Sequence, residues 1–191
     1  MRVLLLRQQP EARARVHAGA LALSHPEIQL ALARQGAPGG EGLGLEWRLG
    51  DRPARGLREA IAEFSPDLIH SYGPTAALTI CANELTAGRV PVIYDLSGKH
   101  RFRDDLELEG RAIEESAALV VASQALFEQV AANGRRLPQL TMVFPSYSPA
   151  RELPAADRHM SAEANIDRLA ALYQGLVREP MAVLAAELRG R

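Results

Sequence analysis

A strand–helix–strand pattern between residues 67 and 98 constrains the fold of this chain more than any other part of its sequence. The apolar pair Leu68 and Ile69 indicates a short first strand, and residues 90–94 are β-branched and aromatic, as is typical of a second strand. Between them, residues 75–87 are rich in small and apolar side chains, which favours a helix packed closely on a sheet. A unit of this length predicts two parallel strands joined by a crossover helix.

Polar residues and glycines cluster where these two strands are predicted to end. We place the end of the first strand at His70 and the first position of the helix at Pro74, where proline is well tolerated. Ligands of parallel α/β sheets bind at the carboxyl ends of the strands, so the side chains following both strands are expected to form one ligand-binding groove. Its predicted residues are His70, Tyr72, Gly73, Asp95, Ser97, Gly98, Lys99, His100 and Arg101.

Within this predicted groove, His70 offers a titratable group and Lys99, the only lysine of the chain, offers a fixed positive charge. Gly73 and Gly98 would permit close backbone approach by a phosphorylated or hydroxylated ligand. Two structural interpretations stay open. A histidine ending a buried strand can serve only as a hydrogen-bond partner of a neighbouring loop, and the charged run 99–105 can be a solvated loop.

The rest of the sequence repeats the alternation of short apolar strands and amphipathic helices. Residues 2–7 predict a buried first strand, and residues 11–23 predict a helix with Val16, Ala20 and Leu23 on one side. Residues 53–64 and 124–132 predict two further helices, the second of them capped by Ser123. This alternation predicts an α/β protein with a single Rossmann-like domain, a mostly parallel sheet of about seven strands, and helices on both faces. All of residues 1–191 are assigned to this domain.

The C-terminal part is predicted to return to the same domain. We interpret residues 144–160 as a linker and residues 161–191 as C-terminal helices. The first of these helices, Ser161–Val177, has a serine cap and an apolar stripe that includes Ile166 and Leu169, so it is expected to dock on the sheet.

Composition excludes several classes of partner. The chain has 22 basic and 23 acidic residues, a balance that argues against a nucleic acid partner. Its apolar N-terminal run is much too short for a membrane span. The single cysteine, Cys81, excludes an internal disulfide and fits a cytoplasmic location. The glycine-rich run 34–44 matches neither the dinucleotide-binding nor the phosphate-loop pattern, and we expect neither a cofactor nor a metal site.

Three motifs in order resemble the N-terminal half of GT-B-fold glycosyltransferases. They are Asp-Leu-Ile-His-Ser-Tyr-Gly-Pro at 67–74, Pro-Val-Ile-Tyr-Asp-Leu-Ser-Gly at 91–98 and Ala-Leu-Val-Val-Ala-Ser at 118–123. The resemblance is to retaining, nucleotide-sugar-dependent enzymes similar to glycosyltransferase family 4. It covers residues 1 to about 144, and a weaker similarity returns at residues 161–165. The resemblance implies an acceptor-side domain without the C-terminal, donor-binding domain.

The sequence departs from that family at two places. Gln8-Gln9-Pro10-Glu11 stands where the family often has a glycine pair that approaches the donor diphosphate, and Ser97 stands where many members have a histidine at the transfer site. Both departures weaken the expectation of independent catalysis.

Three functions are compatible with these observations, and whether the chain is an enzyme stays open. The first is a glycosyltransferase-like acceptor-side domain, inactive alone, that works with a separate donor-binding chain or as a homo-oligomer. Self-association would involve aromatic side chains near Tyr72, Phe102 and Tyr147. The alternative is a non-catalytic module, or pseudoenzyme, that binds a sugar or glycan precursor. The third is an unrelated small-ligand α/β protein.

Overall fold

The structure is a computed structural model, and it describes residues 1–8, 12–36, 43–96, 106–134, 136–144 and 162–178. These residues form a seven-stranded sheet and six helices. The strands are β1 (Arg2–Arg7), β2 (Gln29–Arg34), β3 (Glu46–Arg48), β4 (Leu68–Tyr72), β5 (Val92–Leu96), β6 (Ala118–Val121) and β7 (Leu140–Val143). The helices are α1 (Ala12–Ser24), α2 (Pro53–Phe64), α3 (Ala76–Thr86), α4 (Leu106–Glu115), α5 (Gln124–Ala132) and α6 (Ala162–Arg178).

The sheet is parallel at every described strand pair, with the order β3-β2-β1-β4-β5-β6-β7. The direction of strand succession reverses between β1 and β4, which is the place where open α/β sheets form their ligand-binding crevice. The predicted α/β, Rossmann-like fold with a mostly parallel sheet of seven strands is confirmed.

Helices cover both faces of the sheet, but unequally. On one face, α2, α3, α4 and α5 pack in sequence over the strands. On the other face, α1 and α6 pack against side chains of β1, β2, β4, β5 and β6. We call these the α2–α5 face and the α1–α6 face.

Helix α6 completes a face that α1 alone does not cover. Its inward residues Ile166, Leu169, Tyr173 and Leu176 are buried in the same apolar cluster as Val3, Leu68 and Val120 of the sheet. Each large apolar side chain buried in this way contributes roughly 1.5–3 kcal/mol. The predicted docking of the C-terminal helix is therefore confirmed, and its physical reason is the otherwise bare half of the sheet.

Local signals account for several boundaries. Strand β1 and helices α2 and α5 begin and end where the sequence predicts. The Ser123 Oγ accepts a hydrogen bond from the amide of Leu126 at 3.2 Å and so caps α5, as predicted. Gly134, with φ of 66°, follows the end of that helix in a conformation that glycine adopts without strain.

The predicted ends of β4 and β5 were wrong. Strand β4 continues to Tyr72, and β5 continues to Leu96, so His70, Tyr72 and Asp95 lie within the strands rather than after them. The prediction ended the first strand where polar residues begin, whereas all five residues of β4 are buried. Helix α3 begins at Ala76, so Pro74 is not its first residue but follows the cis peptide bond after Gly73.

The predicted side of α1 was also wrong. Val16 and Leu23 are exposed and Ala20 is only partly buried, whereas the helix fully buries Ala14, Ala18 and Leu21. Arg13 and His17 lie on this buried side, and their polarity disguised it in the sequence. Among the described residues, no helix has the length and apolar character needed to cross a membrane.

Candidate functional site

A buried polar network lies on the α1–α6 face beside the reversal in strand order. It consists of Arg13 and His17 from α1, His70 and Tyr72 from β4, Asp95 from β5, and Tyr173 from α6. The sheet register places Arg7, Tyr72 and Asp95 side by side near the carboxyl ends of β1, β4 and β5. The fold thus brings six polar or aromatic side chains from four elements to one location.

The charged centre of this network is an ion pair between Arg13 and Asp95. Arg13 Nε donates to Asp95 Oδ2 at 3.1 Å, and Arg13 Nη1 donates to the carbonyl oxygen of Phe144 at 3.2 Å. His70 Nε2 lies 3.4 Å from the same Asp95 Oδ2, close enough for electrostatic attraction but without a hydrogen bond. The Asp95 side chain is fully buried, and only 7% of the Arg13 side chain is exposed.

Each histidine of the network is paired with a tyrosine. His17 Nδ1 lies 2.7 Å from the Tyr72 hydroxyl, and His70 Nδ1 lies 2.6 Å from the Tyr173 hydroxyl. Because a carboxylate can only accept, the proton of neutral His70 is best placed on Nε2, facing Asp95. His70 Nδ1 then accepts from the Tyr173 hydroxyl, so Asp95 and helix α6 together set the tautomer of His70.

Burial keeps both histidines neutral near pH 7. It lowers the pKa of His17 well below its usual value, and the neighbouring His70 and Arg13 lower it further. Burial also lowers the pKa of His70, although the nearby Asp95 opposes this shift. The network therefore contains one cation, one carboxylate and two uncharged imidazoles.

Aromatic packing fixes these side chains. The rings of His70 and Tyr72 stack with centroids 4.2 Å apart and an interplanar angle of 19°. The ring of Tyr173 meets His70 edge-on, and Phe144 meets His17 in the same way. The stacked and edge-on contacts leave little freedom for the imidazoles to rotate.

The structure brings together only some of the predicted site residues. His70, Tyr72 and Asp95 are neighbours in the network, but they are buried rather than lining an open groove. Tyr72 is only 1% exposed, and self-association through residues near it stays a prediction. The other predicted members, Ser97, Gly98, Lys99, His100 and Arg101, lie outside the described residues, as do Phe102 and Tyr147.

Gly73 lies directly against strand β5. Its amide donates to the Asp95 carbonyl oxygen at 2.8 Å, and an added Cβ would lie 3.1 Å from that oxygen. The close approach expected at Gly73 is thus an approach to β5.

Arg13, His17 and Tyr173 were missed by the sequence analysis. They come from helices that are distant along the chain from β4. The available signal was the polar pair Arg13 and His17, one helical turn apart on the side of α1 that also carries Ala14, Ala18 and Leu21.

Away from the network, a concave region lies between α4 and α5, beyond the end of β5. It is a mostly apolar groove of about 270 Å³ with three polar side chains. Its lining residues are Leu96, Leu106, Glu109, Gly110, Ile113, Leu126, Gln129, Val130 and Asn133. Among the described residues, no group of three or more histidine, cysteine or acidic side chains could hold a metal ion.

Comparison with known proteins identifies the fold. The sequence matches no family model and no curated protein. In structure, the chain is similar to HepE from Anabaena in complex with UDP, with a TM-score of 0.59, 17% identity, and coverage of 82% of this chain and 48% of HepE. It is also similar to a sucrose-phosphate synthase structure from Thermosynechococcus elongatus, with a TM-score of 0.61, 13% identity, and coverage of 92% and 99%.

A third similar structure is the UDP-GlcNAc 2-epimerase from Neisseria meningitidis bound to UDP-GlcNAc, with a TM-score of 0.54, 13% identity, and coverage of 75% of this chain and 46% of that one. These neighbours have GT-B glycosyltransferase and epimerase folds. The chain therefore has a glycosyltransferase-like, Rossmann-like fold, and it spans about half the length of HepE and of the epimerase.

Proposed function

We propose that this chain is the acceptor-side domain of a glycosyl-transfer system and that it needs a separate donor-binding chain to transfer a sugar. The observation that carries the proposal is the difference in coverage among its structural neighbours. The chain matches 99% of the sucrose-phosphate synthase structure, but only 48% of HepE, which is in complex with UDP. The similarity to HepE therefore extends over about half of that protein.

The arrangement of α6 agrees with this interpretation. Helix α6 follows the seventh strand in the sequence and covers the α1–α6 face of the sheet. A domain with this helix in place buries its apolar face without a second domain.

The polar network suits an acceptor better than a nucleotide diphosphate. One guanidinium and one carboxylate balance each other, and both described histidines of the network are kept neutral. A diphosphate would need an excess of positive charge or several free backbone amides. Fold alone does not define activity, so the proposal rests on this balance of charge together with the coverage.

The test is a transfer assay with UDP-glucose and UDP-GlcNAc as donors and glycan acceptors. The purified chain alone should give no transfer, because a single domain does not enclose the water-excluding site that glycosyl transfer needs. Adding proteins that co-purify with the tagged chain from its source cells should produce transfer. Sugar transfer by the isolated chain would contradict the proposal.

A non-catalytic carbohydrate-binding module is the second candidate, and the burial of the network favours it. His70 and Asp95, the strongest acid–base candidates of the described residues, are fully buried. This candidate predicts that carbohydrate binds in calorimetry, while the transfer assay stays negative with every co-purifying protein.

A further inference from the structure

Among the described residues, three buried polar atoms of the network make no hydrogen bond. They are Arg13 Nη2, Asp95 Oδ1 and His70 Nε2, the last of which lies 3.4 Å from Asp95 Oδ2. Each of the three residues is more than nine-tenths buried. Leaving one buried donor or acceptor unsatisfied costs roughly 1–3 kcal/mol. Folded proteins seldom leave several such atoms together, so this group indicates a bound polar molecule.

The other contacts of Arg13 and His70 hold these side chains in place. Arg13 is held at two other nitrogens, by Asp95 Oδ2 and by the Phe144 carbonyl oxygen. His70 is held by the Tyr173 hydroxyl and by the stacked ring of Tyr72. The unsatisfied atoms are therefore presented in fixed positions, as a binding site requires.

The set comprises one cationic donor, one anionic acceptor and one neutral imidazole. A phosphate would pair with Arg13 but would be repelled by Asp95, and an ammonium group would meet the opposite conflict. A hydroxyl group both donates and accepts, so one hydroxyl can donate to Asp95 Oδ1 and accept from Arg13 Nη2. The side of Arg13 is where the pair retains contact with solvent, since 7% of that side chain is exposed.

We propose that Arg13 and Asp95 bind one hydroxyl group of an uncharged, polyhydroxylated ligand, with His70 and Tyr173 as positioning residues. The choice of a carbohydrate-like ligand rests on the proposed function. The selection for an uncharged hydroxyl rests on the network alone. This differs from the sequence-based expectation, in which a positive charge at Lys99 would favour a phosphorylated ligand equally well.

The experiment follows the imidazole signals of His70 by NMR during titration with methyl α-D-glucoside, myo-inositol and inorganic phosphate. The variant His70→Gln identifies the signals of His70, because they are missing from its spectrum. At least one polyol should move the His70 signals saturably, and phosphate should not. The titration extends to about 100 mM, a range that detects even weak millimolar binding. If neither polyol moves the His70 signals in this range, a buried water fills the site and the proposal is wrong.

Two variants test the pair itself. Asp95→Asn replaces the acceptor by an amide and should weaken polyol binding about tenfold, the loss of one charged hydrogen bond. Asp51→Asn removes the same charge from an exposed residue and should leave binding unchanged. If Asp95→Asn fails to fold, Arg13→Lys keeps the positive charge but removes Nη2, and it should weaken binding similarly. Equal affinities for Arg13→Lys and the unaltered chain would overturn the proposal.

The experiments distinguish a failure of the hydroxyl site from a failure of the proposed function. Transfer in the presence of a donor-binding chain, combined with no polyol response at His70, leaves the proposed function intact and removes the hydroxyl site. A polyol response lost in Arg13→Lys, combined with no transfer under any condition, keeps the hydroxyl site and favours the non-catalytic module.

Discussion

The two faces of the sheet bury polar side chains in different ways, and β4 shows both. Successive side chains of a strand alternate, so His70 and Tyr72 enter the network of the α1–α6 face, whereas Ser71 meets α3 on the other face. There, Ser71 Oγ lies 2.7 Å from Thr75 Oγ1 and 2.8 Å from Thr79 Oγ1. These hydroxyls are uncharged and satisfy one another.

The α1–α6 face instead buries an ion pair and two imidazoles, with unsatisfied atoms at Arg13 and Asp95. Burying charge is costly unless every group is paired, so such a cluster contributes less to stability than apolar residues of similar volume. We interpret the hydroxyl cluster of the α2–α5 face as part of the fold and the network of the α1–α6 face as the proposed binding site.

The largest expected effect tests whether α6 is essential to its face. Leu169 and Leu57 are both fully buried, one on each face. Leu169→Ala and Leu57→Ala should each lower the free energy of unfolding by about 3 kcal/mol, as large-to-small core substitutions do. Chemical denaturation measures the loss. Only Leu169→Ala should also move the NMR signals of His70, because Leu169 and Tyr173 share α6. A cost below about 1 kcal/mol for Leu169→Ala would mean that α6 is not needed there.

Mild acid should destabilise the protein through the α1–α6 face. The folded pKa values of His17 and His70 are lowered, whereas an unfolded histidine titrates near pH 6.5. The unfolded chain therefore binds more protons below that pH. The stability contributed by neutral burial is fully present above about pH 6.5 and is lost as the pH falls through that value toward the folded pKa values.

For two such histidines, the loss between about pH 7 and about pH 5.5 should reach up to about 2 kcal/mol. Denaturation at a series of pH values measures it. His17→Gln removes one of the two groups and should reduce this acid-dependent loss by about half. A stability that is flat over the same interval, before and after the substitution, would show that the two imidazoles do not resist protonation.

The sequence predicts the architecture well because apolar runs and helix periodicity are local signals. The bounds of β1, α2 and α5 follow from such signals, and so does the cap at Ser123. The strand ends were less predictable, since tertiary burial carries β4 through the polar residues His70 and Ser71.

The candidate site was predictable only in part. His70 and Asp95 stand near recognisable strand ends, but Arg13 is one of many arginines and is singled out only when α1 packs on the sheet. Tyr173 contacts His70 across 103 positions of sequence. Polar residues on the buried side of α1 also displaced the predicted orientation of that helix, a conflict between local pattern and fold that is common at functional sites.

A smaller effect is expected from removing the hydroxyl of a buried tyrosine, and two tyrosines on opposite faces can be compared. Tyr173→Phe removes the partner of His70 Nδ1 on the α1–α6 face and should cost about 1–2 kcal/mol, because a buried acceptor is left unsatisfied. Tyr94→Phe is the matched control, since the Tyr94 hydroxyl donates to Glu109 Oε1 at 2.9 Å on the other face. Nitrogen chemical shifts of His70 report its tautomer. They should change in Tyr173→Phe and not in Tyr94→Phe, and an unchanged tautomer in Tyr173→Phe would refute the positioning role.

The smallest expected effect concerns the hydroxyl cluster of the α2–α5 face. Thr79→Val keeps the shape of the side chain and removes its hydroxyl, which donates within the cluster to Ser71 Oγ at 2.8 Å and lies 3.0 Å from the Thr75 carbonyl oxygen. Ser71 keeps Thr75 as a partner, and the helical carbonyl of Thr75 still accepts from the Thr79 amide. No buried atom of the cluster is therefore left without a hydrogen bond, and the free energy of unfolding should fall by about 0.5–1 kcal/mol.

The same variant should not change the response to acid. Because the lost hydroxyl is uncharged at every accessible pH, the acid-dependent loss of stability should match that of the unaltered chain. A cost above about 2 kcal/mol would show that this cluster depends on each hydroxyl, and the contrast between the self-satisfied hydroxyl cluster and the unsatisfied atoms of the network would then fail.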